Sequence, residues 1–159
     1  MKKNSGSIYT TSGLAVFFVF ILVFSPVVGW CDCNVSSTGV NFGTYNPLDT
    51  FDLDSSGSIM VSCTSNVSVM VSISVSPTSG GFNPRKIRQS GGSDTLNYNL
   101  YTTSNRAAIW GDGTQGTEVV WHGVKKKSPW SATVYGRISA AQDVYVGQYG
   151  ESLVVQIDY

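Results

Sequence analysis

The sequence has little charge and only one histidine, and these two shortages narrow its possible functions. Ten Lys and Arg residues balance ten Asp and Glu residues, so the formal net charge at pH 7 is zero. Without a basic excess there is no electrostatic footprint for nucleic acid. A hydrolytic triad needs a histidine next to a nucleophile and a carboxylate. The only histidine, His122, stands beside Trp121 and is interpreted as a surface or interface imidazole. We therefore expect no enzyme, no catalytic residue and no nucleic-acid partner.

The sequence also lacks the pattern of a metal or cofactor site. No Gly-rich phosphate loop follows a strand and opens a helix, and the glycines of residues 110–116 are typical of a tight turn. Asp49, Asp52 and Asp54 weakly match a calcium loop, but the terminal Glu is missing, which favours a solvated loop. Three cysteines and His122 at irregular spacing do not make a zinc site. We expect no metal site and no cofactor.

The longest apolar run lies near the N-terminus. Lys2 and Lys3 precede an uninterrupted apolar stretch over residues 14–24, which is the pattern of a secretory signal peptide. This run has about half of the roughly 20 residues that a membrane-spanning helix needs, so a retained anchor is the weaker interpretation. The pattern predicts that residues 1–29 are removed on export. Residues 30–159 would then form one domain with a formal charge of −2 and no stable membrane insertion.

All three cysteines, Cys31, Cys33 and Cys63, lie in the predicted mature domain, where export makes a disulfide reasonable. A bond between Cys31 and Cys33 would be strained in an extended chain, so one of these two is expected to pair with Cys63. Such a bridge closes a loop of about 30 residues and contributes roughly 3–4 kcal/mol through the unfolded state. The third cysteine would be a free thiol, a mixed disulfide or part of an intermolecular bond.

Alternation of apolar and polar residues dominates the predicted mature domain and indicates strands with one buried face. The clearest run covers residues 67–76, where the valines and Ile73 point to one side and a mostly serine face points to water. Further predicted apolar faces are Ile59-Val61-Cys63, Leu96-Tyr98-Leu100, Ala132-Val134-Gly136-Ile138 and Leu153-Val155-Ile157-Tyr159, with weaker candidates at residues 35–42 and 107–110.

Turn residues separate these runs and set the expected fold class. Residues 77–94 are the longest predicted loop, and the three lysines of residues 125–127 are the predicted tip of a hairpin. Good helix formers are scarce, and no segment has the pattern of an amphipathic helix. Many short strands at near-regular spacing predict an all-β, antiparallel sandwich or barrel.

An ordered set of short motifs runs through the predicted mature chain. The motifs are Cys33 and residues 40–47, 57–63, 96–101, 110–114, 134–138 and 147–149, followed by an apolar strand that ends at Tyr159. This ordered set resembles the spore coat protein U domain family, which includes the subunits of archaic (Csu-type) chaperone-usher pili. The resemblance covers essentially the whole mature chain, and its specificity lies in the order of the motifs.

The resemblance implies an immunoglobulin-like antiparallel β-sandwich that is incomplete because its final strand is missing. In this family a periplasmic chaperone fills the resulting groove, and a segment of a neighbouring subunit replaces it at the outer-membrane usher. An exported structural subunit of a surface fibre or coat, supporting adhesion or biofilm formation, is therefore implied. The resemblance also pairs Cys33 with Cys63 and leaves Cys31 spare. The apolar strand ends at Tyr159, so we expect no further closing strand.

The N-terminal segment departs from the family pattern. Fibre-forming relatives carry a donor segment of alternating apolar residues before the first cysteine, whereas cleavage after Gly29 leaves only Trp30, Cys31 and Asp32 before Cys33. We therefore expect a subunit that accepts a donor strand without giving one, at a terminal or tip position or in a coat. The alternative is a self-sufficient secreted β-sandwich that binds carbohydrate or adheres through exposed Trp and Tyr side chains.

Overall fold

The computed structural model describes residues 31–159, so the signal peptide predicted for residues 1–29 lies outside the described residues and stays a prediction. Within residues 31–159 no helix is long and apolar enough to cross a membrane. The strands of this range are β1 (Cys33–Ser37), β2 (Leu53–Cys63), β3 (Val67–Ile73), β4 (Arg85–Gln89), β5 (Thr95–Tyr101), β6 (Val120–Val124), β7 (Trp130–Ile138), β8 (Tyr149–Gly150) and β9 (Val155–Asp158).

These strands form two antiparallel sheets. The larger sheet has six strands in the order β1-β2-β7-β5-β4-β8, and the smaller has three in the order β6-β3-β9. The longest pairing joins β2 to β7, from Leu53 opposite Ile138 to Val61 opposite Trp130. The all-β, immunoglobulin-like antiparallel sandwich is therefore confirmed.

The apolar faces of the two sheets meet in one core. The predicted inward faces of residues 59–63, 96–100 and 132–138 are buried, and so are Val69 and Val71 of β3. Trp110 is fully buried and donates its indole N–H to the carbonyl of Val71 at 3.0 Å. Each large apolar side chain buried in this way stabilises the fold by about 1.5–3 kcal/mol. The residues of the apolar faces therefore supply most of the hydrophobic free energy that favours folding.

The strand predicted for residues 67–76 ends at Ile73, and its alternation reverses there. Val75 is 37% exposed, whereas Ser76 is fully buried, contrary to the prediction that the serine face meets water. The hydroxyl of Ser76 donates to the carboxylate of Glu151 at 2.6 Å, which supplies the partner that a buried polar group needs.

Three strands lie where the sequence predicts none. β4 occupies the middle of the loop predicted for residues 77–94, β6 forms one edge of the smaller sheet, and the two-residue β8 pairs with β4 at one edge of the larger sheet. The two segments that were weaker candidates for strands are strands only in part. Residues 35–42 continue β1 no further than Ser37, and residues 107–110 make isolated bridges at Ile109 and Trp110. The exposed turn at residues 125–127 and the turn after Trp110 are confirmed, but the first connects β6 to β7 in the other sheet, with only an isolated bridge between Lys125 and Ser128.

Arg85 is the inward-facing residue at the start of β4. Because this buried residue is charged, β4 lacks the apolar alternation by which a strand is predicted. Its side chain is fully buried and lies over the ring of Phe82, with Cζ 5.0 Å from the ring centroid. Nη1 donates to the carbonyl of Ser74 at 2.6 Å, and Nη2 donates to the carbonyl of Trp110 at 2.7 Å. One planar guanidinium therefore joins three separate segments at this end of the sandwich.

Candidate functional site

An open groove of about 950 Å³ lies between the two sheets. Its floor is the inward face of the larger sheet, and its apolar floor residues are Ile59, Leu96, Tyr98, Leu100, Val134 and Ile138. One wall is the segment over residues 37–47, the other is formed by Leu153 and Val155, and residues 144–151 close one end. The sandwich is thus open along a continuous apolar strip between these two walls.

The first wall is an extended segment that packs directly on the larger sheet. Val40 and Phe42 lie over Gly136 of β7, where a β-carbon would meet Cγ1 of Val40 and Cζ of Phe42 at 2.7 Å. The ring of Phe42 also meets Tyr98 edge-on at 6.1 Å. Val40 and Phe42 make no backbone hydrogen bond to another residue of the described range. Their peptide groups are therefore available to a further chain.

The second wall is a sheet edge that no further strand of residues 31–159 pairs with. β9 pairs with β3 on one side only, from Val155 opposite Ile73 to Asp158 opposite Met70. The N–H of Ser74 donates to the carbonyl of Val154 at 2.9 Å, which places the even-numbered residues of β9 in the hydrogen-bonded pairs. By the alternation of an antiparallel ladder, the peptide groups of Val155 and Ile157 point to the open side. Such an edge is a template for another strand.

Glu151 fixes the chain where it enters this second wall. Its carboxylate accepts hydrogen bonds from the hydroxyls of Ser76 and Tyr98, each at 2.6 Å, and from the N–H of Thr78 at 3.2 Å. Burial and the hydrogen bond to Glu151 raise the pKa of Tyr98, so the phenol stays a donor. These contacts hold the chain before β9 in place, although Leu153 and Val155 are only partly buried.

Two of the cysteines lie at the β1 edge of the larger sheet, which is the edge farthest from β8. Cys33 of β1 and Cys63 of β2 are directly opposite each other and are joined in a disulfide, as the family resemblance implies. Cys63 is in the core, whereas the thiol of Cys31 is partly exposed and is not part of a disulfide within the described range. The bridge fastens the strand from which the first wall continues.

The other sequence candidates are placed apart from the groove. His122 is exposed and stacks on Trp130, with ring centroids 4.3 Å apart and an angle of 9° between the planes. The prediction of a solvated acidic loop is wrong for Asp54, which lies in β2 and binds Arg137. In residues 31–159 no three His, Cys, Asp or Glu side chains lie close enough together to hold a metal ion.

Three comparisons with known proteins bear on this fold. The sequence model of the Spore Coat Protein U domain matches residues 22–156, and the chain belongs to that family. Protein U of Myxococcus xanthus is 30% identical over 145 residues, which cover 84% of this chain and 79% of that protein.

Two solved structures of pilus proteins align with this chain, and the first of them is similar in fold. The first is the chaperone–tip adhesion subunit pre-assembly complex CsuC–CsuE from the archaic chaperone-usher Csu pili of Acinetobacter baumannii. A chain of this complex aligns with a TM-score of 0.56 and 20% identity, over 82% of this chain and 40% of that chain. This chain therefore spans two fifths of the length of that relative. The minor tip subunit HdaB of the E. coli Hda pilus aligns with a TM-score of 0.43 and 15% identity, over 78% and 79% of the two chains.

The sequence placed Leu153 and Val155 on an apolar strand and residues 40–47 in a family motif, but no pattern showed that they face each other as the two walls of a groove. One local signal was present for the first wall, because a glycine such as Gly136 inside a strand pattern often marks the close approach of another backbone. No local signal marks Glu151, whose partners Ser76 and Tyr98 are 75 and 53 positions away in the sequence.

Replacing Gly136 by alanine is expected to disturb the first wall. The added β-carbon meets Val40 and Phe42 at distances that real β-carbons do not show, so these side chains must shift toward the groove. Overpacking of this kind costs about 1–3 kcal/mol, measured as the free energy of unfolding in urea. Gly123→Ala in β6 is the matched control, because its β-carbon would meet nothing within 4 Å. Equal stability of the two variants would contradict this account of the wall.

Proposed function

We propose that this protein is an exported structural subunit of a surface fibre or coat, and that a strand from another protein completes its sandwich. The observation that carries the proposal is the apolar groove beside the unpaired edge of β9. A strand lying in this groove would bond to Val155 and Ile157 through its backbone. Its alternate side chains would enter the apolar floor, as in other complexes formed by strand addition.

The energetics of the groove support an occupant. The floor is made of core residues such as Ile138 and Leu100, and the wall residues Leu153 and Val155 remain only partly buried. The half-buried wall residues lie beside the open edge of β9, where an added strand would cover them. Across the gap, the peptide groups of Val40 and Phe42 have no backbone partner among residues 31–159, so a strand between the two walls would find hydrogen-bonding groups on both sides.

Family and fold supply the expected partners. Membership of the Spore Coat Protein U domain family and the fold shared with a chain of the Csu complex support a periplasmic chaperone, an outer-membrane usher and neighbouring subunits as successive partners. Family membership also supports a structural rather than catalytic role, and we propose adhesion or biofilm formation as its outcome. The predicted signal peptide and the Cys33–Cys63 disulfide favour export through the periplasm to the cell surface.

A strand supplied in cis tests the proposal directly. We would extend the chain after Tyr159 with an Asn-Gly turn and a strand of alternating valine and threonine, so that the added strand folds back against β9. Apolar burial favours docking and the ordering of the new backbone opposes it, which leaves an expected net stabilisation on the order of 2 kcal/mol. Urea unfolding measures this gain, and size-exclusion chromatography with light scattering is expected to show a monomer.

The control extension contains the same residues shifted by one position. A one-residue slip turns every valine away from the groove floor, so composition, length and linker are matched while the fit is lost. The proposal predicts stabilisation by the first extension only. If both extensions leave stability and oligomeric state as they are in the unmodified protein, strand completion is ruled out.

The alternative of a self-sufficient secreted module is less well supported, because it leaves the groove empty and the β9 edge unpaired. One observation favours this alternative, namely the exposure of Trp121 (64%) and Tyr145 (77%).

The predicted position at the end of a fibre depends on cleavage after Gly29. Mass spectrometry of the mature N-terminus would test that prediction.

A further inference from the structure

The outer face of the larger sheet, on the side away from the groove, carries a second concave feature. This shallow cleft of about 410 Å³ is lined by Asp54, Ser55, Ser56, Arg106 and Tyr135. Ser56 of β2 and Tyr135 of β7 are directly opposite each other in the sheet. The volume falls at the lower end of the range for sites that bind small molecules.

Arg106 reaches this cleft from the loop after β5. Its backbone adopts φ 57°, a left-handed conformation that is uncommon for a residue with a side chain. Two hydrogen bonds within the loop hold it there, from its N–H to the carbonyl of Thr103 at 3.0 Å and from Nη1 to the carbonyl of Ser104 at 2.9 Å. The side chain is only 16% exposed. Unfavourable backbone geometry that the surroundings maintain is often found at binding sites.

Asp54 lies between two guanidinium groups. Arg137 donates Nε and Nη2 to its two carboxylate oxygens at 2.7 and 2.9 Å, which is a bidentate pair. Nε of Arg106 lies 3.1 Å from the same carboxylate, at an angle that does not make a hydrogen bond. The hydrogen bond from Arg137, assisted by the charge of Arg106, holds the pKa of Asp54 below its usual value. Asp54 is thus a fixed, ionised acceptor.

We propose that this cleft binds a neutral sugar unit of a glycan. The two arginines are balanced by Asp54 and by Asp52, whose carboxylate lies 3.2 Å from Nη1 of Arg137, so the cleft does not favour an ionic ligand of either sign. The hydroxyls of Ser56 and Tyr135 have no hydrogen-bond partner in the described range. Together with Asp54 they present donors and acceptors of the kind that hydroxyl groups of a sugar ring satisfy.

Tyr135 adds an apolar surface to this polar set. An aromatic ring with a polar tip packs against the C–H face of a ligand while its hydroxyl remains available for hydrogen bonding. The proposal does not depend on completion of the groove by a donor strand, because Ser56 and Tyr135 lie on the opposite face of the sheet and Arg106 on a separate loop. Only Ser55, whose hydroxyl donates to the carbonyl of Asn41, also borders the first wall. Failure of one proposal therefore leaves the other standing.

Titration of the purified protein with four methyl glycosides, those of glucose, galactose, mannose and N-acetylglucosamine, tests the inference. We expect at least one to shift the amide NMR signals of Ser56, Arg106 and Tyr135 with a millimolar Kd. Arg106→Gln is expected to weaken binding by about tenfold or more. Arg88→Gln is the matched control, because Arg88 is exposed on β4 outside the cleft, and its Kd should stay within about twofold of the unmodified protein.

Tyr135→Phe keeps the ring and removes the hydroxyl, so it provides a second measurement if Arg106→Gln does not fold. It is expected to weaken binding about three- to tenfold, the effect of one lost hydrogen bond. The inference is overturned if no glycoside shifts these signals, or if both cleft variants bind as tightly as the unmodified protein. Shifts caused by inorganic sulfate and by none of the glycosides would equally overturn it, because the cleft would then be an anion site.

Discussion

Arg85→Leu is expected to lower the free energy of unfolding by about 2–4 kcal/mol, measured by urea unfolding followed through tryptophan fluorescence. The carbonyls of Ser74 and Trp110 each lose a charge-assisted hydrogen bond and remain in a site that leucine cannot hydrate. Burial lowers the pKa of Arg85, which reflects the cost of keeping its charge away from water. Leucine does not carry this cost of a buried charge, which offsets part of the lost stability. The net loss is therefore smaller than the summed cost of leaving two buried carbonyls without hydrogen bonds.

Two further substitutions separate this explanation from a general loss of packing. Arg85→Lys keeps the charge but cannot reach both carbonyls in one plane, so we expect a smaller loss of about 1–2 kcal/mol. Arg88→Leu, on the outward face of the same strand, is expected to stay within about 0.5 kcal/mol of the unmodified protein. If Arg85→Leu is as stable as Arg88→Leu, the three-segment junction contributes nothing to stability.

Removing the Cys33–Cys63 bridge is expected to cost about 3–4 kcal/mol, because the bridge closes a loop of some 30 residues in the unfolded chain. The comparison is best made in a background that carries Cys31→Ser, so that the spare thiol cannot replace Cys33. Adding Cys33→Ala to that background should strongly lower the urea concentration at the midpoint of unfolding. The loss also loosens β1, which leads into the first wall of the groove.

Cys31→Ser alone serves as the matched control for the bridge. It retains the bond between Cys33 and Cys63 and is expected to change stability by less than about 0.5 kcal/mol. A thiol assay should find one reactive group in the unmodified protein and none in Cys31→Ser. A large loss of stability in Cys31→Ser would show that Cys31, and not Cys33, is the partner of Cys63.

Much of the fold can be predicted from the sequence, because a strand with one buried face shows an alternation of apolar and polar residues within a short stretch of the chain. The alternation around Val61, Leu100 and Val134 placed three central strands and their inward faces correctly. The predictions fail where a distant partner decides the outcome. Ser76 is buried because Glu151 accepts its hydroxyl, and β4 begins with a buried arginine that any pattern would place in water.

The groove was accessible to sequence reasoning only through the family resemblance. The apolar alternation of Leu153, Val155 and Ile157 predicts a strand, but it does not say that one edge of the strand remains unpaired. The contact of Val40 and Phe42 with Gly136 depends on how the chain crosses the sheet almost a hundred residues away. The outer cleft likewise brings together a strand aspartate and a loop arginine that share no local pattern.

The sequence by itself determined the all-β class, the inward faces of the central strands and the family, because each of these is carried by residues close together in the chain or by motifs in a fixed order. The tertiary structure alone decided which edge of the smaller sheet is left open, which wall faces it and which charged residues are brought together. Those features depend on contacts between residues far apart in the chain, and the free energy of such contacts is not expressed in any short stretch of sequence.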